Sequence, residues 1–421
     1  MKSSLKLAAG TGGSVVVDHC QVCDATDLER IVFLGFLPPV NQMRTQGTTP
    51  HEQPAYPALL LRCRNCQLVQ LGLVVDPAIL FPPEYPYSSG TTKILRENFA
   101  ELYTDSQHVR KLAPTDLVVD VGSNDGTLLS NFTAHRVMGI EPSDMGKLAA
   151  SRGIPTHIAY FGPAAAAAVR GAHGPAAIVT ATNVFAHIEN VHEIVSSIVS
   201  MLDDKGVFIS ESHYLLDLIE TLQYDTIYHE HLRYYSLHAL RHLLDMHGLE
   251  IVRVKRIPTH GGSIRVYAAR PNAYPIDGSV REALDAEQRF GLLGGEVFGA
   301  FKRRVTNSKL EIMSLLKDLK VQGKRIVGIG APSRASTLVN YLAVDDGILD
   351  AVLEVPGSYK VGKYMPGTLI PVVDEGMLVA EQPDYALLLS WHIADELIPK
   401  LRAKGFKGGF IVPLPTARIV D

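Results

Sequence analysis

Ten residues constrain this chain more than any others: Leu117-Val118-Val119-Asp120-Val121-Gly122-Ser123-Asn124-Asp125-Gly126. Leu117, Val118, Val119 and Val121 make a short strand core, Asp120 interrupts it, and Gly122 and Gly126 bracket a small polar turn. Thr127-Leu128-Leu129-Ser130-Asn131-Phe132 reads as the first turns of a helix. A strand feeding a glycine-rich turn and a helix is how an α/β sheet presents backbone N–H groups to a ligand at its carboxyl edge. The turn lacks the G-x-G-x-x-G fingerprint of hydride cofactors. Twenty-one residues after Asp120, a second strand, Val137-Met138-Gly139-Ile140, ends in Glu141, and an acid at that distance suits a pair of ribose hydroxyls.

The 421 residues are too many for one core and imply two or three domains. Forty basic against 44 acidic side chains give a net charge of −4, so no basic excess recommends nucleic acid as a partner. No apolar run approaches the roughly 20 residues of a membrane span. Residues 1–17 carry Lys2 and Lys6 among small residues, without an apolar core or cleavage site. They read as a disordered tail and the protein as cytoplasmic, with no membrane partner.

All four cysteines precede residue 67, as Cys20-x-x-Cys23 and Cys63-x-x-Cys66 with 39 residues between the pairs. Two such knuckles offer four thiolates to a tetrahedral Zn2+. A redox pair and buried free thiols are the alternatives. Four thiolates leave no open position for substrate, so the metal is expected to be structural. The proline-bearing loop at residues 81–92 holds Tyr85, Tyr87 and Ser88, and lines a pocket or serves as a plain linker. Lys93 to Tyr103 alternates as an amphipathic helix. The βα alternation then continues through Ala177–Thr182, whose exit loop carries Asn183 and His187, to Gly206–Glu211. Leu249–Lys255 and Ser263–Arg270 alternate like a closing antiparallel pair, with His260-Gly261-Gly262-Ser263 in the turn. After a helical connector over 275–319, a second α/β unit starts at Lys324. There Gly328, Gly330 and Arg334 at a helix start suit a pyrophosphate, or simple packing.

Between the fifth strand and the closing pair lies Tyr224-Asp225-Thr226-Ile227-Tyr228-His229-Glu230-His231-Leu232-Arg233. Arg233 stands where H-E-x-x-H needs its second histidine, so this is no zinc-protease signature. Such a density of ionisable groups beside a cofactor edge points to catalysis; a solvated helix face is the plain structural reading.

The turn at 120–126 resembles motif I of class I S-adenosylmethionine (SAM) methyltransferases, in which the acid and glycines hold the methionine half of the cofactor. The paired knuckles, Tyr85-Pro86-Tyr87-Ser88-Ser89, residues 120–126, 224–231, 260–263, 328–341, 362–368 and 410–415 follow in one order. Together they resemble the sugar C-methyltransferases that place a branching methyl on C3 of nucleotide-linked 4-keto-6-deoxyhexoses. Arg334 stands where many relatives carry lysine, and Leu353-Glu354-Val355-Pro356 where they carry a polar turn. The resemblance implies a zinc-binding unit (18–80), a central Rossmann-like SAM methyltransferase domain (81–274) and a C-terminal α/β domain around the nucleotide sugar, dTDP- or GDP-linked (275–421). It implies SAM held by Asp120, Gly122, Asn124, Gly126, Glu141 and Asn183, with adenine near His157–Phe161. His231 is then the base, and Glu230 fixes its tautomer or contacts the sugar. Tyr228 and His187 donate to the developing enolate, and Tyr87 or Tyr85 closes the pocket. Ser88, His229, His260, Gly261, Ser333 and Arg334 touch substrate. O- or N-methylation of another small metabolite, a dinucleotide-dependent oxidoreductase and a binding-only protein are the competing readings.

Overall fold

A computed structural model describes residues 13–81 and 93–421. Tyr85, Tyr87 and Ser88 lie outside the described residues, as does most of the tail expected over 1–17.

The central sheet runs Glu250–Ile257, Ser263–Ala269, Leu202–His213, Ala176–Thr182, Leu117–Val121, Arg136–Ile140, Thr156–His157. The last five are parallel, and the first two are the expected antiparallel pair. The strand Leu117–Val121 is buried along its whole length. Its near-continuous apolar run is what a parallel strand covered on both faces requires. The order in which strands are added to the sheet reverses between Leu117–Val121 and Ala176–Thr182, which puts the topological switch point, where open α/β sheets bind ligands, at Asp120 and Thr180.

The C-terminal unit repeats this plan. Its sheet runs Lys363–Tyr364, Pro371–Asp374, Val352–Glu354, Ile326–Ile329, Tyr385–Leu388, Gly409–Val412, Arg418–Val420, parallel except at the two edges. Its switch point lies between Ile326–Ile329 and Tyr385–Leu388. Helices Gly278–Phe290 and Glu296–Val321 form the connector. Among the described residues no helix is long and apolar enough to cross a membrane.

The segment between the cysteine pairs folds back as an antiparallel pair, Leu28–Leu37 with Tyr56–Cys63, joined by Val69–Leu71. The fourth strand of this sheet is Arg233–Tyr234, which leaves the methyltransferase segment to pair with Val69–Leu71. The zinc-bearing sheet is therefore not confined to residues 18–80.

One local expectation fails, and one of the alternative readings falls. After Gly126 there is one short 3-10 turn, Leu129–Asn131, in place of a helix. The Ser130 hydroxyl and Asn131 amide donate to the carbonyls of Thr127 and Leu128, taking up acceptors that a helix would use. Residues 224–236 are no solvated helix face either: Tyr224, Tyr234 and Tyr235 are buried.

Candidate functional site

Asp120 is 2% exposed and accepts from the Thr180 hydroxyl at 2.6 Å. Burial first, then the nearby acids Glu141 and Glu211, push its carboxyl up to about 7 against that hydrogen bond. Among the described residues no Lys, Arg or His pairs with it. Gly122 follows at φ +68°, and a Cβ there would sit 2.7 Å from Val184 Cγ2, so the turn admits little but glycine. Glu141 stitches the turn to the second strand: its Oε2 accepts from Asn124 N–H at 3.1 Å and its Oε1 from Ser143 N–H at 3.0 Å. These groups, with Asn183 and Phe161, border a cavity of about 620 Å³. Tyr160 stands 82% exposed at its edge. A buried carboxylate without a cation fits a ligand that brings one, as SAM does with its ammonium and sulfonium.

The cavity continues to Tyr228, Glu230 and His231. His231 Nδ1 lies 3.0 Å from the Thr226 carbonyl oxygen. A carbonyl only accepts, so Nδ1 carries the proton and Nε2 keeps its lone pair. Glu230 does not set this tautomer; its Oε1 accepts from the amide of Asn41, in the zinc-bearing segment, at 2.7 Å. The Tyr228 ring lies 4.2 Å from the His231 ring, and those of His213 and His187 stand edge-on at 4.9 and 5.0 Å. Burial holds His187 and His260 down at about 4, and His213 and His231 well below their ordinary value. All four are therefore neutral at pH 7, and His231 presents its Nε2 lone pair. His187 Nδ1 is buried and has no partner among the described residues, and Asn183 Nδ2 lies 3.3 Å from His260 Nε2.

The His187 loop is fixed by Arg233. This fully buried guanidinium donates to the carbonyls of Phe185, Ile188 and Glu189. It is a positioning group that sequence reasoning used only to exclude a metal motif.

The C-terminal unit closes the cavity with Pro332, Ser333, Arg334 and His392. They follow the strands on either side of its switch point, so residues from the ligand-binding edges of both α/β units share one space. Burial, then Arg334 and His260, bring His392 down to about 2. His392 and His213 both escaped the sequence reading, although His213 ends the strand Leu202–His213 and His392 follows the strand Tyr385–Leu388, at carboxyl ends where ligand groups belong.

Other expected contacts fall elsewhere. His229 donates from Nε2 to the Pro57 carbonyl at 3.2 Å and lies edge-on to Tyr56, turned toward the zinc-bearing sheet. A Cβ on Gly126 would meet Ile154 and Ala149, and the Gly261 carbonyl accepts from Gln223 at 2.6 Å; neither glycine borders the cavity. Arg334 does border it, but its guanidinium is bound bidentately by Asp225.

The sulfurs of Cys20, Cys23, Cys63 and Cys66 all lie within 4.8 Å of one another. Cys20 and Cys66 are 3.4 Å apart, Cys23 and Cys63 3.5 Å. Zn–S bonds of about 2.3 Å imply tetrahedral edges of about 3.8 Å, so the cluster fits zinc with little movement. It is a closed structural site with no place for substrate.

Residues 258–415 match the family model described as C-methyltransferase C-terminal domain, 95–254 a methyltransferase domain, and 20–81 a zinc binding domain. The C-methyltransferase NovU of Streptomyces niveus is 31% identical over 410 residues, which span 96% of this chain and 97% of NovU. The chain belongs to this C-methyltransferase family. It is a SAM-dependent C-methyltransferase, and the oxidoreductase and O- or N-methylation readings give way to that result. Solved structures give weaker likenesses. The magnesium protoporphyrin IX methyltransferase of Synechocystis with bound SAM is 18% identical, covering 41% of the C-methyltransferase and 76% of its own chain at a TM-score of 0.30. A SAM-dependent methyltransferase of Anabaena variabilis is 15% identical, covering 42% and 86% at 0.32. Neither carries an argument about this site.

Proposed function

We propose that the enzyme methylates C3 of a nucleotide-linked 4-keto-6-deoxyhexose, with His231 removing the C3 proton to make the carbon nucleophilic. The observation that carries this is the His231 tautomer: Nδ1–H is committed to the Thr226 carbonyl, and the imidazole sits in the cavity that also holds Asp120 and Glu141. Carbon beside a ketone is no nucleophile until it loses a proton, and a positioned base is worth roughly 10²- to 10⁴-fold. SAM supplies an electrophilic sulfonium methyl that such a carbon can take. Asp120, Gly122, Asn124, Glu141 and Asn183 are the residues to hold it.

The C3 proton passes to His231 Nε2 while its bonding pair moves into the ketone as an enolate. Negative charge then grows on the C4 oxygen, and hydrogen-bond donors placed for it stabilise it most in a dry site. Tyr228 is suited to that task. Neutral His187 commits its one ring proton toward the Glu230 backbone, so its Nδ1 is left as an acceptor and Tyr228 is the donor of the pair. Ser333 and His392 line the end of the cavity from which a nucleotide-linked sugar would enter, and the α/β unit behind them is where its nucleotide belongs.

In deuterated water with SAM and a dTDP- or GDP-linked 4-keto-6-deoxyhexose, the wild type should exchange the C3 proton and place the new methyl on carbon, read by carbon NMR. His231→Asn should do neither while still binding SAM. Methylation at oxygen, or undiminished exchange in His231→Asn, would refute the proposal.

A further inference from the structure

The signature stretch leaves Asp225 unexplained: it is 0% exposed and does not border the cavity. Its carboxylate receives Arg334 Nε–H at 2.8 Å, Arg334 Nη2–H at 2.7 Å and the Trp391 indole N–H at 2.7 Å. All three donors come from the C-terminal unit, and the guanidinium lies over the Trp391 ring at 4.9 Å. A buried ion pair is a poor source of net stability, because desolvation offsets its attraction. Its position in the chain offers another account.

The next residue is Thr226, whose carbonyl takes the Nδ1 proton of His231 at 3.0 Å and the Tyr234 hydroxyl at 3.3 Å. The short turn Tyr224–Thr226 that presents this carbonyl is pinned on each side. Thr226 donates to the Gln223 carbonyl from N–H at 3.1 Å and from Oγ1 at 2.7 Å. Thr337, on the helix that carries Arg334, reaches the Ile227 carbonyl at 3.4 Å. If the 226–227 peptide rotated, the carbonyl would leave His231, and the proton could move to Nε2. In that tautomer the lone pair sits on Nδ1, and Nε2 has no room to accept a proton from substrate.

We propose that Asp225, clamped by Arg334 and Trp391, is a positioning residue that holds the Thr226 carbonyl on His231 and so keeps Nε2 free to accept a proton. The C-terminal unit thereby acts on the chemistry as well as on the substrate. This rests on the reading of His231 as the base. It also accounts for Arg334, whose charge is committed to Asp225 and not left for a pyrophosphate.

The test uses the full-length, zinc-loaded enzyme with SAM and the keto-sugar nucleotide. Asp225→Asn keeps the shape but gives up the charge that holds the clamp, and a misplacement of about 1 Å can cost on the order of 100-fold in rate. A fall in kcat of about 10- to 100-fold is expected, with KM for both substrates within about twofold because Asp225 does not line the cavity. Trp391→Phe should lower kcat less, and Arg334→Lys should recover part of what Arg334→Gln loses. Trp391 is the sole tryptophan, so its emission in folded Asp225→Asn should change as the clamp loosens. Wild-type kcat in folded Asp225→Asn overturns the proposal, as does a rise in KM at unchanged kcat. If Asp225→Asn fails to fold, Trp391→Phe carries the same comparison. His231→Asn in the parallel exchange assay separates the two ideas. Exchange retained there refutes the base itself, whereas exchange lost there but intact in Asp225→Asn refutes only the clamp.

Discussion

Asp120 is a carboxylate removed from water, with Glu141 and Glu211 as acidic neighbours and one hydroxyl as a donor. With its carboxyl pushed up to about 7, it is half protonated near neutral pH and gains full charge only above that. A cationic ligand beside it reverses the balance, because it favours the ionised form. SAM binding should therefore release a proton near pH 6–7 and be tighter at pH 8 than at pH 6. Calorimetry in buffers of different ionisation enthalpy reads both effects. Asp120→Asn should weaken SAM by about 1.5–3 kcal/mol, a charged hydrogen bond's worth, and flatten the pH dependence. An Asn variant with unchanged affinity would remove Asp120 from the cofactor site. The acid and its turn were legible in the sequence because the strand–turn pattern is local. Arg334 was not: a guanidinium at a helix start looks like an anion site until Asp225, 109 positions away, is seen to occupy it.

At the scale of elements, period-2 and near-continuous apolar runs made the strands of both α/β units readable, including the antiparallel closing pair. What sequence could not show is pairing between distant segments, and the strand Arg233–Tyr234 is the case with most consequence. It ends the stretch that carries His231, yet it hydrogen-bonds to Val69–Leu71, three residues beyond Cys66. Glu230 is likewise tied to Asn41. The zinc-bearing sheet is thus one wall on which the stretch carrying the proposed base is built, and a structural metal of this kind contributes on the order of 10 kcal/mol to folding. Chelating the zinc, or Cys63→Ser, should lower Tm and also lower kcat at temperatures where the methyltransferase core is still folded. Adding zinc back should restore both in the chelated wild type. Unchanged kcat in metal-free, folded protein would show that the knuckles serve stability alone.

Across the whole molecule, six imidazoles, His229 and His231 buried and the other four partly so, are neutral where zinc-bearing, central and C-terminal units meet. His187, His229 and His260 are held at about 4, His392 at about 2, and His213 and His231 well below the ordinary value, each chiefly by burial. A histidine whose folded pKa is depressed contributes full stability above its unfolded value of about 6.5, and loses it as pH falls toward the folded value, at about 1.4 kcal/mol per pH unit. Asp120 has the opposite sign. Its raised pKa gives stability at low pH that is lost as pH rises from 3.8 to about 7, so it offsets roughly one histidine. Glu211, Asp217 and Asp245 are raised as well and act in the same sense as Asp120, but the six histidines outnumber them, and the folded state should weaken below pH 6.5. Denaturant unfolding at pH 7.5, 6.5 and 5.5 should show a small change over the first step and a drop of several kcal/mol over the second. His231, the base proposed above, gives no reason for activity to fall in that window, since burial holds its imidazole well below the ordinary value while the fold persists. Acid inactivation should therefore follow unfolding, and brief assays after a jump from pH 7.5 to 5.5 should retain turnover that prolonged incubation destroys. A stability flat from pH 7.5 to 5.5, with activity titrating near 6.5, would mean that water reaches these imidazoles and that the cavity is not the dry space enolate chemistry requires.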